Sequence, residues 1–226
     1  MKILALADEE VPALYDFYVP GRLKDYDLIL SCGDLKPEYL SFIVTMARAP
    51  VKYVCGNHDT RYSVRPPEGC DCIEDDVVLC KGLRILGLGG SYRYNSGSCQ
   101  YTESEMRKRI SRLKRKIKKM GGVDIVISHA PLKGIGDGED GPHQGFQAFL
   151  DFIDEFHPKY WLHGHVHMNY GVDSTRVREY GGTTVINAYE RYVLEIPESE
   201  IPSTHPVEVS NSAFLEKIYS LKKQRT

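Results

Sequence analysis

Side chains able to bind a metal or move a proton sit directly after short apolar runs in this chain. Asp8 and Glu10 follow the run at 2–7, and Asp34 follows 28–32 within Gly33-Asp34. Asn57, His58 and Asp59 follow 51–55 within Gly56-Asn57-His58-Asp59, and His129 follows 124–128. His163, His165 and His167 close the series in His163-Gly164-His165-Val166-His167. Carboxylate, imidazole and amide groups in this mixture suit Mn, Fe or Zn better than calcium, which prefers all-oxygen cages. A solitary histidine is more often a hydrogen-bonded structural residue, and His157 and His205 keep that reading. His143 opens a helical stretch in a glycine-rich segment and is a candidate to face a substrate.

The elements that must position these groups are legible as runs. Strand-length apolar segments recur at 2–7, 28–32, 51–55, 77–80, 84–88, 124–128, 160–163, 183–187 and 192–196. Their near-continuous hydrophobicity predicts sheets covered on both faces. Helices are expected at 37–48, opened by Pro37, and at 102–120, opened by the Thr102/Glu105 capping box and stopped by Gly121-Gly122. Further helices are expected at 143–156 and 211–222. With no repeat or linker, the chain reads as one domain, 1–226, with a strand and helical tail from about 190. In an open α/β sheet, groups that follow strands gather at the strands' carboxyl ends, so the candidates are expected to share one crevice.

The blocks Gly33-Asp34, Gly56-Asn57-His58-Asp59, His129 and Gly164-His165-Val166-His167, in this order, resemble the calcineurin-like metallophosphoesterase family. The resemblance implies an α/β fold, a four-layer α-β-β-α sandwich of two packed mixed sheets. It implies two divalent metal ions, with Mn foremost and Fe, Zn or Mg as alternatives. Asp34 would bridge them; Asn57, His129 and His165 would complete one site, and Asp8, His167 and the residue at position 10 the other. His58 would point at the phosphate, oriented by Asp59. A hydroxide between two metals about 3.5–4 Å apart could then attack the phosphorus of a monoester or diester.

Position 10 departs from the family's D-x-H opening, since the chain has Asp8-Glu9-Glu10. Residues two apart in a strand share a face, so Glu10 is expected where the histidine would stand. An added carboxylate there would lower the centre's net charge and favour harder ions such as Mn or Mg. Arg61, Tyr92 and Arg93 are candidates for holding a phosphate or stacking on a ring. A non-catalytic scaffold of the same fold is the rival function. The basic helix around 106–120 raises a third, a metal-dependent nuclease, although the acids at 68–76 could balance its charge. Net charge is -2, so composition demands neither nucleic acid nor a membrane surface as partner. No apolar run reaches the roughly 18 residues of a membrane span, and a cytoplasmic location is expected. Six scattered cysteines read mostly as free thiols. Cys70, Cys72 and Cys80 admit a small metal site, though C-x-C is not a zinc-ribbon spacing.

Overall fold

In the computed structural model, which describes residues 1–168 and 175–202, the expected apolar runs become strands of two sheets. The helix expected at 211–222 lies outside the described residues. In chain order the elements are β1 (Lys2–Ala7), β2 (Leu28–Ser31), α1 (Pro37–Ala47), β3 (Val51–Tyr53), β4 (Asp71–Cys72), β5 (Asp76–Cys80), β6 (Leu83–Leu88), β7 (Ser91–Tyr92), β8 (Gln100–Tyr101), α2 (Glu103–Lys119), β9 (Ile125–Ser128), α3 (Gln147–Phe156), β10 (Tyr160–His163), β11 (Val177–Tyr180), β12 (Thr183–Asn187) and β13 (Glu190–Glu195). One sheet has the order β13-β1-β2-β3-β4, the other β11-β12-β10-β9-β6-β5. Both are mixed: β13 runs antiparallel to β1, and β11 and β5 antiparallel to β12 and β6, around parallel centres.

Alternation along the strands divides the core into three layers. In β1, Ile3, Ala5 and Ala7 turn inward and join Leu28, Leu30, Ile125, Ile127, Leu162 and Ile186, so residues of both sheets meet face to face. Leu4 and Leu6 turn outward and pack with Ile29 and Val51 against Tyr39, Leu40 and Ile43 of α1. On the far side, Leu86, Val126, Trp161 and Val185 pack against Met106, Ile110 and Leu113 of α2 and Phe149 and Ile153 of α3. Helix, sheet, sheet and helices thus form the four expected layers. Both faces of the central strands are dry, which is why their sequences lack a polar alternate position. Among the described residues no helix is long and apolar enough to cross a membrane.

Helix α2 begins as its sequence predicts: the Thr102 hydroxyl accepts the Glu105 N–H at 3.3 Å, and Glu105 Oε2 accepts the Thr102 N–H at 2.7 Å. Helix α3 starts later than expected. Phe146 is extended and its N–H donates to Pro131 O at 3.2 Å, so the helix begins at Gln147. Its first free N–H groups are capped from α2, where the Glu103 carboxylate accepts from Ala148 N at 2.7 Å and Gln147 N at 3.2 Å. A metal site of Cys70, Cys72 and Cys80 does not form: Cys70 Sγ donates to Leu40 O at 3.6 Å, and Cys80 packs between the sheets.

Four of the nine basic residues of α2 are paired with acids of the same molecule. Arg107 pairs with Glu103 and Asp151, Lys114 with Glu155, and Lys116 with Asp76. Arg109 goes further inward: its side chain is 6% exposed and pairs with Glu74, Asp75 at 2.8 Å and Gly89 O at 2.8 Å, lying over the Tyr101 ring. Glu74 in turn accepts the Cys55 N–H at 3.2 Å and the Gly89 N–H at 3.0 Å. Removing one partner of a buried ion pair strands the other charge. Glu74→Ala is therefore expected to destabilise the fold by about 3 kcal/mol in urea unfolding. Exposed Arg112 on the same helix, changed to Ala, should stay within about 0.5 kcal/mol. Equal effects at the two positions would contradict this account.

Candidate metal centre

One sheet delivers Asp8, Asp34 and Asn57 just beyond β1, β2 and β3; the other delivers His129 and His165 just beyond β9 and β10. The groups meet at the seam between the sheets' carboxyl ends, where such folds accept ligands. Backbone geometry concentrates there. Asp8 (φ 67), Asp34 (φ 57) and His165 (φ 68) all adopt the left-handed region, which costs L-residues on the order of 1 kcal/mol each. Gly56 is tied to its position because a Cβ there would run into the Asp34 carboxylate. At Gly164 a Cβ would lie 2.6 Å from Ala7 Cβ and 2.8 Å from Asp8 Oδ2.

His129 is fully buried and faces only acceptors. Its Nδ1 lies 2.8 Å from Cys32 O; its Nε2 lies 3.0 Å from Asn57 Oδ1 and 3.2 Å from Asp34 Oδ2. Both ring nitrogens face acceptors, an arrangement that favours the doubly protonated ring. Burial alone would lower its pKa, but Asp34, and more weakly Asp8, outweigh burial and hold it at about 9. The same pairing keeps Asp34 below the usual carboxylate range despite its burial. His165 behaves oppositely: burial and the neighbouring His129 charge push it down to about 3. As a neutral ring it donates Nε2–H to Pro142 O at 2.7 Å, which leaves the Nδ1 lone pair for a ligand. Ligand atoms of Asp34, His129 and His165 all lie within 4.8 Å of one another. The Asp34 carboxylate, the Asn57 amide oxygen and the two imidazoles form a donor set that suits a divalent cation.

The second set of expected ligands is less complete. Both Asp8 oxygens accept the His165 N–H, at 2.9 and 3.0 Å, and burial raises the Asp8 pKa. His167 lies against the Tyr189 ring, 4.9 Å between centroids. Asp8 and His167 line the same cavity of about 430 Å³, with Asp34, Asn57, His58, Tyr94, Pro142, His143 and His165. Glu10 does not line it. The strand ends at Ala7 and Asp8 turns left-handed, so the two-residue alternation expected for Glu10 does not hold. Glu10 Oε2 instead pairs with Lys36 Nζ at 3.3 Å, while its Oε1 is buried with no hydrogen-bond partner.

His58 is exposed on a wall shared by this cavity and a second one of about 290 Å³, which Lys36, Asp59 and Arg61 also line. Its N–H is held by Asp34 Oδ1 at 2.8 Å. Asp59 reaches backbone, not the His58 ring: its Oδ2 accepts the N–H groups of Asp34 and Gly56, each at 2.7 Å. Burial raises Asp59 to about 6. His143 stands 5.1 Å from the His165 ring and pairs with Asp140. Tyr92 and Arg93 do not face the cavity as expected: Tyr92 packs on Phe146 at 5.3 Å, and Arg93 pairs with Glu105 at 2.9 Å. The residue of that segment that reaches the site is Tyr94, whose hydroxyl accepts from Asn57 Nδ2 at 3.1 Å. Only its place in the tyrosine-rich stretch marked it in the sequence. His163 is buried and neutral, pushed down to about 4 by burial, and donates from Nδ1 to Gly164 O at 3.0 Å.

A cation can bind His129 Nε2 only after its proton leaves. Binding of Mn²⁺ near pH 7 should therefore release about one proton, with affinity rising about tenfold per pH unit until it levels near pH 9. Titration calorimetry in buffers of different ionisation enthalpy measures this; release near zero at pH 7 would contradict an imidazolium at His129.

Two Caenorhabditis elegans proteins, the UPF0046 proteins K07C11.7 and C25E10.12, are 26% and 25% identical to the chain, covering 83% and 74% of it and 69% of each relative. A solved structure superposes with TM-score 0.61 at 16% identity over 85% of this chain and 94% of that one. TT1561 of Thermus thermophilus gives 0.54 at 16% identity over 84% and 89%. These two structures are similar in fold. The model of the calcineurin-like phosphoesterase superfamily domain matches residues 1–188, and the chain belongs to that superfamily.

Proposed function

We propose that this protein is a metal-dependent phosphoesterase that binds two divalent cations, foremost Mn, at sites of unequal affinity. The observation that carries the reading is the convergence of Asp34, Asn57, His129 and His165 beside an open cavity walled by His58. Asp34, Asn57, His129 and His165 would hold the tighter ion. Asp8, His167 and Asp34 would hold the looser one, which Glu10 would complete only by leaving Lys36. Bound there, divalent cations supply Lewis acidity toward phosphoryl oxygens and lower the pKa of an attacking water.

The chain's own groups supply the rest. The His58 imidazole, placed by the Asp34 contact to its backbone, delivers a proton to the departing alkoxide. Asp59 contributes by fixing the Asp34 and Gly56 backbone, a positioning role. Arg61 on the wall of the second cavity is the cation placed to meet an anionic leaving group, since Lys36 there pairs with Glu10, while Tyr94 and His143 border the first.

Hydrolysis of p-nitrophenyl phosphate and its bis-ester, assayed with Mn, Mg, Fe and Zn, tests the reading. His58→Ala should lower kcat by about 10²–10⁴-fold with metal content unchanged. A wild-type chain inert toward both esters with every ion would favour a scaffold. Glu10→Gln should weaken one Mn²⁺ site and spare the other; two unaltered sites would mean that position 10 stays with Lys36.

A further inference from the structure

Tyr94 brings an uncommitted hydrogen to the wall of the candidate centre. Its hydroxyl accepts the Asn57 Nδ2–H at 3.1 Å, and its side chain lines the same cavity as Asp34, Asn57, His58 and His165. A phenolic hydroxyl has one hydrogen to donate besides its acceptor capacity. The bond from Asn57 occupies a lone pair, so that hydrogen must turn away from Asn57. Among the described residues no acceptor takes it. The residue is 38% exposed, so the hydrogen has open space before it.

Both ends of the arrangement are fixed. Asn57 Oδ1 lies 3.0 Å from His129 Nε2, and a divalent cation in that place would call for the same oxygen. The amide therefore keeps Nδ2 toward Tyr94 with or without an ion. The Tyr94 backbone is held by Gln100, which is buried. Gln100 Oε1 accepts the N–H groups of Tyr94 and Asn95, each at 3.2 Å, and its Nε2 donates to Asn95 Oδ1 at 2.7 Å. Asn95 Oδ1 also accepts the Gly97 N–H at 2.7 Å. Packing does not explain why a buried amide should organise this loop, since Tyr94 belongs to none of the three apolar clusters of the described core.

On the phosphoesterase reading, we propose that the Tyr94 hydroxyl is a substrate contact that donates its hydrogen to a non-bridging oxygen of the phosphoryl group in the cavity. A neutral donor adds to the hold on this anion without altering the charge of the centre. Because Asn57 sets its direction in advance, the hydroxyl loses little freedom when the phosphate arrives.

Inorganic phosphate is the probe, titrated calorimetrically into the full chain at saturating Mn²⁺, with Mn²⁺ affinity measured in parallel. Saturation keeps any loosening of the ions through Asn57 out of the phosphate result. Tyr94→Phe retains the ring and removes the hydroxyl. Losing a hydrogen bond to an anion should weaken phosphate binding by about ten- to a hundredfold. Tyr92→Phe, a change off the cavity wall, should bind phosphate as the wild type does. Equal phosphate affinity in Tyr94→Phe and wild type, or an equal drop in Tyr92→Phe, would overturn the contact. A fall in Mn²⁺ affinity alone would reduce Tyr94 to a prop for Asn57 and overturn it as well. Phosphate bound by a wild type that cleaves no ester would sink the esterase reading while the binding comparison still decides on Tyr94. A wild type that takes up no phosphate would sink both.

Discussion

Everything in this molecule's centre follows from placing charge in the seam between two dry sheets. Asp8 and Asp34 stand at strand ends whose other neighbours are apolar, and an isolated buried carboxylate would be far too costly there. The fold answers with oriented hydrogen-bond donors. Asp8 accepts the His165 N–H from the opposite sheet, Asp34 accepts the His58 N–H, and buried His129 sits beside both. His129 also donates to Cys32 O across the seam. The side chains that assemble the candidate centre are thus also cross-sheet ties.

A second tier of polar contacts keeps those ties aimed. Glu74 grips the backbone at Cys55 and Gly89, and buried Arg109 grips Glu74 from α2. Asp59 joins the ends of β2 and β3 through the N–H groups of Asp34 and Gly56. Neither carboxylate needs to touch a ligand to matter. Each fixes two loops at once, which is how short loops between strands can hold side chains to the tolerance a metal demands.

Much of this was legible in the sequence. Strands covered on both faces show as unbroken apolar runs, and glycine-flanked Asp34, Asn57 and His165 announce strand ends at a common crevice. The Thr102 cap is a local motif, and local hydrogen bonds alone decide it. What the sequence hid was non-local. The start of α3 depends on Phe146 meeting Pro131 and on Glu103 reaching over from α2. Glu10 lies outside the cavity because alternation presumes a strand, and the chain turns left-handed at Asp8. Tyr92, Arg93 and Tyr94 look interchangeable in a row; packing against Phe146 and pairing with Glu105 remove the first two from the cavity.

The seam location also ties the centre to the rigidity of the sandwich. Each sheet carries part of the ligand set, and apolar side chains, which have no preferred direction, hold the layers together. A loosened state that kept its strands but let the layers slide would preserve the far-UV circular dichroism while separating Asp34 from His129. Cation binding would then report on layer alignment and fade on warming ahead of secondary structure. An added cation, by bridging the sheets, would draw them back into register.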